Sequence, residues 1–193
     1  FFHVDAAFGG FVLPFLKLSG YKIPQWNFSI DQVDSITADP HKMGMGIIPS
    51  GGYFLRNEKI FERTGFEIPY LAGGNFKHLH IVGTRSGGTI IGFWAIMQYL
   101  GIQGFTEIVK KCMENTKYLS ESIRKIDGIK LAAEPMMNIV GITTENGESI
   151  CELDEELRKL KWKLGKFIKF NLIRIVIMPH VTKAHLSHFI QDL

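Results

Sequence analysis

The chain has 193 residues, 46% of them hydrophobic, which is enough apolar content to bury a core and excludes disordered and fibrous classes. The 22 basic and 19 acidic residues leave a net charge of +3 with no basic block, so no nucleic-acid partner is expected. No apolar run is long enough to span a bilayer, so no membrane partner is expected either. Cys112 and Cys151 lack disulfide or metal spacing, which favours a reducing, cytoplasmic compartment.

Short apolar segments alternate with loops of small residues in the first part of the chain. A buried strand is predicted for residues 1–4, a second strand for 33–38, and a third strand or hairpin arm within 47–55. Polar side chains follow the first two strands, as is typical of α/β sheets, whose ligands lie beyond the strand ends. Residues 66–88 are interpreted as a long loop, and loops of this length are usually functional.

The second part of the chain is predicted to be more regular. A nearly all-apolar segment, 89–100, indicates a buried helix, and 105–126 has the periodicity of an amphipathic helix with one gap at Thr116. After Asp127-Gly128 the pattern changes to that of a small α+β domain, residues 128–193, which leaves 1–127 as part of a larger domain. Its predicted elements are strands 129–133, 138–143 and 172–178 and helices 151–162 and 182–193.

The start of the chain is an apolar strand with no preceding cap, turn or polar segment. A soluble domain seldom begins in this way. We therefore expect that an N-terminal half of the same protein is missing from this sequence.

Lys42 is the first candidate for chemistry. It stands just past the end of the second strand, after His41 and shortly before Gly44. A lysine amine in this position can form a Schiff base with a carbonyl cofactor if its surroundings deprotonate it. The alternative is an ordinary surface lysine after a turn, which describes most lysines.

Asp5 decides between these two interpretations of Lys42. It ends the first strand and is followed by two small residues, Ala6 and Ala7. A carboxylate aimed at the pyridine nitrogen of pyridoxal 5'-phosphate (PLP) keeps that nitrogen protonated, and the ring then withdraws electrons strongly. The alternative for Asp5 alone is a helix N-cap.

Two motifs at this spacing, His-Val-Asp-Ala-Ala at 3–7 and Asp-Pro-His-Lys at 39–42, resemble the group II PLP-dependent decarboxylases. The resemblance is strongest to the archaeal decarboxylases of L-tyrosine or L-aspartate and extends over essentially all 193 residues. It implies an α/β fold of the PLP-dependent transferase fold type I, the aspartate aminotransferase-like class. The chain would supply the C-terminal part of the large domain and the small domain.

The same resemblance implies roles for the residues of the two motifs. Lys42 would hold PLP, and Asp5 would pair with its pyridine nitrogen. Ala7 would touch one face of the ring, and His41 would reach the phosphate. His3 would orient the cofactor or the substrate carboxylate, with a core histidine as the alternative.

Three further positions match the family outside these motifs. Thr84 would reach the phosphate of a neighbouring subunit in a homodimer with shared sites, although Ser86 replaces a proline that is frequent in relatives. Tyr70 would protonate the substrate carbon after carbon dioxide leaves, and the alternative is an exposed loop tyrosine. Arg174 would bind the substrate carboxylate, and the alternative is a surface ion pair.

His78 and His80 form a His-x-His pair without nearby cysteine or carboxylate ligands, so they are interpreted as loop histidines and no metal is expected. The expected reaction is decarboxylation of an amino acid, tyrosine to tyramine and/or aspartate to β-alanine. Two alternatives remain open: a carbon-carbon lyase of the sphingosine phosphate type, which Tyr21-Lys22-Ile23-Pro24 resembles, and a truncated chain without catalytic activity.

Overall fold

The structure is a computed structural model that describes residues 1–63, 65–78 and 81–193. The chain divides into two compact units. Unit 1 comprises Phe1–Pro14 and Pro24–Gly101, and unit 2 comprises Phe15–Ile23 and Ile102–Leu193. Within the described ranges, no helix is long and apolar enough to cross a membrane.

The elements up to residue 78 are short. In chain order they are β1 (His3–Asp5), a 3-10 turn (Gly9–Phe11), α1 (Leu13–Leu18), β2 (Ser35–Ala38), β3 (Gly52–Leu55), α2 (Glu58–Arg63), β4 (Phe66–Ile68) and β5 (Phe76–His78). The first three strands form one sheet in the order β1-β2-β3, with β1 parallel and β3 antiparallel to β2. The predicted strands at 33–38 and 47–55 are thus present in shorter form.

The sheet of unit 1 has one apolar and one polar face, because successive side chains of a strand point to opposite sides. Its apolar face packs Ile36 into a small core with Ala6 and Val33, against which partly buried side chains of four further residues pack: Val4, Trp26, Phe28 and Ile30. The guanidinium of Arg56 closes the edge of this core by donating to the carbonyl oxygen of Val33 at 2.6 Å.

Two predictions for unit 1 are wrong. Residues 1–4 are not a buried strand, since Phe1 is 81% exposed and the strand begins only at His3. Residues 66–88 are not all loop, since β4 and β5 pair as an antiparallel hairpin. These strands have three residues each, which is too short for an alternating pattern to be visible in the sequence.

The longest helix, α3 (Gly88–Ile123), is broken at Gly101, where φ is 55°. Glycine adopts this left-handed conformation at no steric cost, so it separates two helical segments that belong to different units. The segment before Gly101 was predicted to be buried, but Ile90, Ile91 and Trp94 are 62–70% exposed. The segment after Gly101 is amphipathic as predicted, and Thr116 is buried because its hydroxyl donates to the Cys112 carbonyl.

Unit 2 is a four-stranded antiparallel sheet in the order β6-β7-β9-β8. Its elements after α3 are β6 (Ile129–Leu131), β7 (Ile139–Thr144), α4 (Ile150–Lys159), β8 (Gly165–Phe167), a 3-10 turn (Ile168–Phe170), β9 (Leu172–Val176) and α5 (Lys183–Asp192). Sequence analysis predicted all of these elements except β8 and the 3-10 turn, with ends that differ by a few residues. Strand β8 begins at a glycine and has only three residues, so its periodicity is weak.

Apolar side chains of the second helical segment of α3 join the core of unit 2. Leu119 and Ile123 are fully buried there with Ile142 and Ile173 of the sheet. This packing explains why the compact units separate at Gly101 rather than at Asp127-Gly128. The assignment of residues 1–127 and 128–193 to two domains of the whole protein stays a prediction.

A buried carboxylate ties α4 to the sheet edge. Asp154 is 1% exposed, and its Oδ2 accepts from Lys166 Nζ at 2.6 Å and from Arg158 Nε at 2.8 Å. Burial alone would raise the pKa of Asp154, but the hydrogen bonds from Lys166 and Arg158 outweigh it and lower the pKa below its ordinary value. The ionised form of Asp154 therefore stabilises unit 2.

We predict that Asp154→Asn destabilises unit 2 by about 2 kcal/mol at pH 7, because it leaves Lys166 and Arg158 without their buried partner. The folded-state pKa is lowered, so the contribution of Asp154 is present above about pH 4 and is lost as pH falls below that value. The loss of stability is measured as the loss of hydrogen-exchange protection at the Ile173 and Ile175 amides, compared between variant and wild type across this pH range. If the difference in stability between variant and wild type disappears already near pH 6, the proposed role of the ionised Asp154 is wrong.

Candidate active site

The polar face of the unit 1 sheet gathers side chains from three strands. The parallel register pairs His3 with Ser35 and Asp5 with Thr37, and Thr37 in turn pairs with Tyr53 of β3. All five side chains point to the same side, because each alternates with a residue of the apolar face. The first predicted motif therefore lies beside two hydroxyl groups of β2.

Asp5 is held by two hydrogen bonds, both to Oδ1. The backbone N–H of Ala7 and the hydroxyl of Thr37 each donate to this oxygen at 3.1 Å. The N–H of Ala7, and next the Thr37 hydroxyl, lower the pKa of Asp5 below its ordinary value, and the positive charge of Lys42 lowers it further. The carboxylate thus stays ionised, and among the residues that the structure describes no group donates to Oδ2, which could therefore bind a ligand.

His3 is exposed, but its ring is fixed on both sides. Its Nδ1 lies 2.7 Å from the hydroxyl oxygen of Ser35, which is fully buried, and its Nε2 lies 3.5 Å from that of Thr37. The ring of Tyr53 lies at a centroid distance of 5.9 Å. The ring lies on the exposed polar face of the sheet, and the predicted role of His3 stays a prediction.

Lys42 lies in a tight turn just after β2. Its N–H donates to the carbonyl of Asp39 at 3.1 Å, and its ammonium nitrogen lies 2.9 Å from Oδ2 of the same residue. Gly44 permits this turn, because a Cβ at that position would lie 2.8 Å from the backbone of Pro40. The side chain of Lys42 is 39% exposed, so the amine remains accessible on this turn.

The two motifs are joined through the backbone. The N–H of Asp39 donates to the carbonyl of Ala7 at 3.0 Å, so the loop after β1 and the turn before Lys42 are held together. Gly10 allows the loop to approach closely, since a Cβ there would lie 2.4 Å from that of Ala38. The expected proximity of Asp5, Ala7 and Lys42 is consistent with this arrangement.

His41 is tethered at one ring nitrogen. Its backbone N–H donates to the carbonyl of Ser50, and Nδ1 contacts the same oxygen. A carbonyl oxygen only accepts, so Nδ1 carries the proton in this contact. The predicted phosphate contact of His41 would therefore have to use Nε2.

The other predicted residues lie apart from this group. Tyr70 is 82% exposed in the turn of the β4–β5 hairpin, and Thr84 is exposed between β5 and α3. Among the described residues, neither side chain has a hydrogen bond to His3, Asp5 or Lys42. Their predicted roles stay predictions.

Arg174 belongs to unit 2. It is exposed on β9, between Gly141 and Gly165 on the neighbouring strands, and its guanidinium lies 5.3 Å from the centroid of the Phe167 ring. Arg174 also lines a cleft of about 370 Å³ together with Lys163, His185 and several apolar side chains. Within the described chain Arg174 has no ion pair, and its role in binding a substrate carboxylate stays a prediction.

The predicted histidine pair is only partly described. His78 ends β5 and its ring lies 5.7 Å from that of Phe66, whereas His80 lies outside the described residues. No cluster of three or more metal-ligating side chains occurs within the ranges that the structure describes.

Sequence analysis missed four residues that shape the site. Ser35 and Thr37 hold His3 and Asp5, Asp39 pairs with Lys42, and Ser50 tethers His41. The alternation of Ser35 and Thr37 in a strand was a usable signal, because parallel pairing with β1 would place them opposite His3 and Asp5. The contact of Ser50 with His41 depends on the path of the loop from 46 to 51 and had no such signal.

Comparison with known proteins supports the resemblance. The chain is 46% identical over 191 residues to the probable L-aspartate decarboxylase of Thermococcus gammatolerans, covering 99% of this chain and 49% of that protein. It is 39% identical over 197 residues to the probable L-tyrosine/L-aspartate decarboxylase of Methanococcus aeolicus, covering all of this chain and 49% of that protein. The chain thus spans about half the length of the curated relatives it matches.

Solved structures support the predicted fold class. The sphingosine-1-phosphate lyase of Burkholderia pseudomallei superposes with a TM-score of 0.88 at 26% identity, covering 98% of this chain and 43% of that chain. The glutamate decarboxylase of Lactobacillus brevis superposes with a TM-score of 0.79 at 26% identity, covering 98% and 45%. The expectation of an α/β, PLP-dependent fold type I is confirmed.

The family itself follows from the sequence profile described as the pyridoxal-dependent decarboxylase conserved domain. This profile matches residues 1–144, which include β1, β2 and the turn that carries Lys42. Because the match covers well over half of the chain and includes both motifs of the site, the chain belongs to the pyridoxal-dependent decarboxylase family.

Proposed function

We propose that the whole protein is a PLP-dependent decarboxylase of L-amino acids that acts on L-aspartate and, as a second substrate, on L-tyrosine. The observation that carries the proposal is the site on the unit 1 sheet: an ionised Asp5 with one oxygen available, and a lysine amine held on a turn nearby. The substrate order rests on the names of relatives at 43–46% identity, which are aspartate decarboxylases, and one of these also acts on L-glutamate.

The residues present fit PLP by their chemistry. Oδ2 of Asp5 would pair with the pyridine nitrogen, Lys42 would hold the aldehyde carbon, and Ala7 offers a small half-buried surface to the ring. Nε2 of His41 is the atom suited to a phosphate oxygen. When bound, the cofactor would supply an electron-withdrawing ring that stabilises negative charge on the substrate carbon.

Each protein group then has a defined task. Asp5 stays ionised and keeps a proton on the group it faces, because its pKa is lowered. Lys42 must leave its ion pair with Asp39 and lose a proton before its amine can act as a nucleophile. Tyr70 is the proposed donor of the proton that replaces carbon dioxide, and this task requires its hairpin turn to approach the site.

Arg174 is the proposed ligand of a substrate carboxylate. Its guanidinium presents several N–H donors suited to two parallel hydrogen bonds with a carboxylate. The neighbouring Lys163 makes the cleft favourable to anions, and the apolar wall would accept the carbon skeleton. Aspartate has two carboxylates, so a cleft with the two cationic groups Arg174 and Lys163 agrees with the proposed substrate order.

The proposed assembly is a homodimer of chains that have the full length of the relatives. The support is the exposed apolar surface of α3 before Gly101, where Ile90, Ile91 and Trp94 would otherwise face water. Thr84 lies in the segment just before this helix and would reach the phosphate of the second subunit. We also infer a cytoplasmic location, supported by the free thiols of Cys112 and Cys151.

The second candidate function is carbon-carbon bond cleavage of the sphingosine phosphate type. The structural likeness to the Burkholderia lyase favours it, since that TM-score exceeds that of the glutamate decarboxylase. Both reactions need the same lysine and the same aspartate, so the geometry of unit 1 does not separate them. The identity of the product does.

We predict that the full-length protein releases carbon dioxide from L-aspartate and that Lys42→Ala abolishes this release together with the visible absorbance of lysine-bound cofactor. The fold should survive, because Lys42 is partly exposed and contributes little packing. Lys110→Ala, an exposed lysine of α3, is the matched control and should retain both properties. Product analysis also tests for an aldehyde.

A Lys42→Ala variant that decarboxylates at the wild-type rate would remove Lys42 from the mechanism. Aldehyde release without carbon dioxide in the wild type would instead favour the lyase function.

For Tyr70→Phe we expect carbon dioxide release to persist. The ratio of amine formed to carbon dioxide released should fall on the order of 100-fold, because a positioned general acid accelerates proton transfer by about 100-fold. Abortive by-products should accumulate. Tyr21→Phe, which removes a phenol elsewhere in the chain, should behave as wild type. Loss of substrate binding without by-products would show that Tyr70 has a structural role in the hairpin turn.

A further inference from the structure

The hydroxyl groups of Ser35 and Thr37 connect His3 to Asp5 in one chain of hydrogen bonds. Ser35 contacts Nδ1 of His3, Nε2 of His3 faces Thr37, and Thr37 donates to Oδ1 of Asp5. The three contacts measure 2.7, 3.5 and 3.1 Å. We propose that Ser35 and Thr37 are positioning residues. They determine which ring nitrogen of His3 carries the proton, and Thr37 orients Asp5 so that its Oδ2 faces the cofactor. This inference rests on the proposed function.

The direction of the chain follows from its acidic end. An ionised carboxylate accepts only, so the hydroxyl proton of Thr37 is committed to Asp5. The oxygen of Thr37 can then only accept from Nε2 of His3, which must carry a proton. In the neutral ring Nδ1 is consequently the acceptor, and the hydroxyl of Ser35 donates to it.

Burial makes the first link rigid. Ser35 is fully buried, and its backbone is held in the middle of the sheet between β1 and β3. A buried hydroxyl that lost its partner would be costly, so the ring of His3 stays in place even though it is exposed to solvent. His3 is thereby oriented by Ser35 at Nδ1 and by Thr37 at Nε2.

The second consequence concerns Asp5. Its side chain is exposed and could rotate freely without support. The N–H of Ala7 and the hydroxyl of Thr37 both bind Oδ1, so the second oxygen has a defined direction. Removing the Thr37 hydroxyl leaves Oδ1 of Asp5 with one of its two anchors, the N–H of Ala7.

The first test needs no cofactor. Nitrogen-15 NMR of histidine in the full-length protein, with the His3 signal assigned by its loss in His3→Gln, reports which ring nitrogen is protonated. We expect the Nε2–H tautomer in the neutral wild type. Ser35→Ala should shift the Nδ1 signal, and Thr37→Val should shift the Nε2 signal, whereas Thr37→Ser should restore it.

The second test measures cofactor affinity. Thr37→Val, which keeps the shape of threonine without the hydroxyl, should weaken PLP binding roughly five- to tenfold, on the scale of one ordinary hydrogen bond. Thr37→Ser should bind nearly as wild type. Thr106→Val is the matched control, since that hydroxyl donates only to its own helix at Ile102.

The outcomes separate the two proposals. An Nδ1–H tautomer in the neutral wild type, or PLP binding by Thr37→Val equal to that of wild type, overturns the positioning role. If the wild-type protein binds no PLP, the proposed function is wrong. The tautomer of His3 then remains the test of whether Ser35 and Thr37 position the ring.

Discussion

The parallel pairing of β1 with β2 is the interaction on which the site depends. It sets His3 opposite Ser35 and Asp5 opposite Thr37, and a shift of β1 by one residue would turn His3 and Asp5 to the apolar face. Packing on the apolar face fixes this register, because Ile36 of β2 must enter the core with Ala6 and Val33. The polar chemistry above the sheet is therefore specified by apolar packing beneath it.

Electrostatics then assign different tasks to two exposed groups on this face. Asp5 is kept ionised by hydrogen bonds, while Lys42 is held against Asp39 on a turn that only small residues permit. Unit 2 uses the same kind of device for stability, since Asp154 is buried with two cationic partners. In unit 1 both hydrogen bonds go to Oδ1 of Asp5, so Oδ2 can bind a ligand. In unit 2 the charge of Asp154 is neutralised by Arg158 and Lys166 and serves only stability.

The sequence predicted the parts of the structure that have strong local patterns. The second segment of α3, strand β7 and helices α4 and α5 are regular over six or more residues, and the motifs around Asp5 and Lys42 match a known family. The hairpin β4–β5 and strand β8 were missed because three-residue strands have almost no pattern. The exposure of Ile90 and Trp94 was not predictable, because an all-apolar helix indicates burial without naming the partner that covers it.

The central claim is that Lys42 carries the cofactor on the face defined by Asp5. The most direct measurement is borohydride reduction of the full-length protein loaded with PLP, followed by peptide mass mapping. The account predicts one pyridoxyl group per chain, on the peptide that contains Lys42. A pyridoxyl group on another lysine, or none on any peptide, would contradict it.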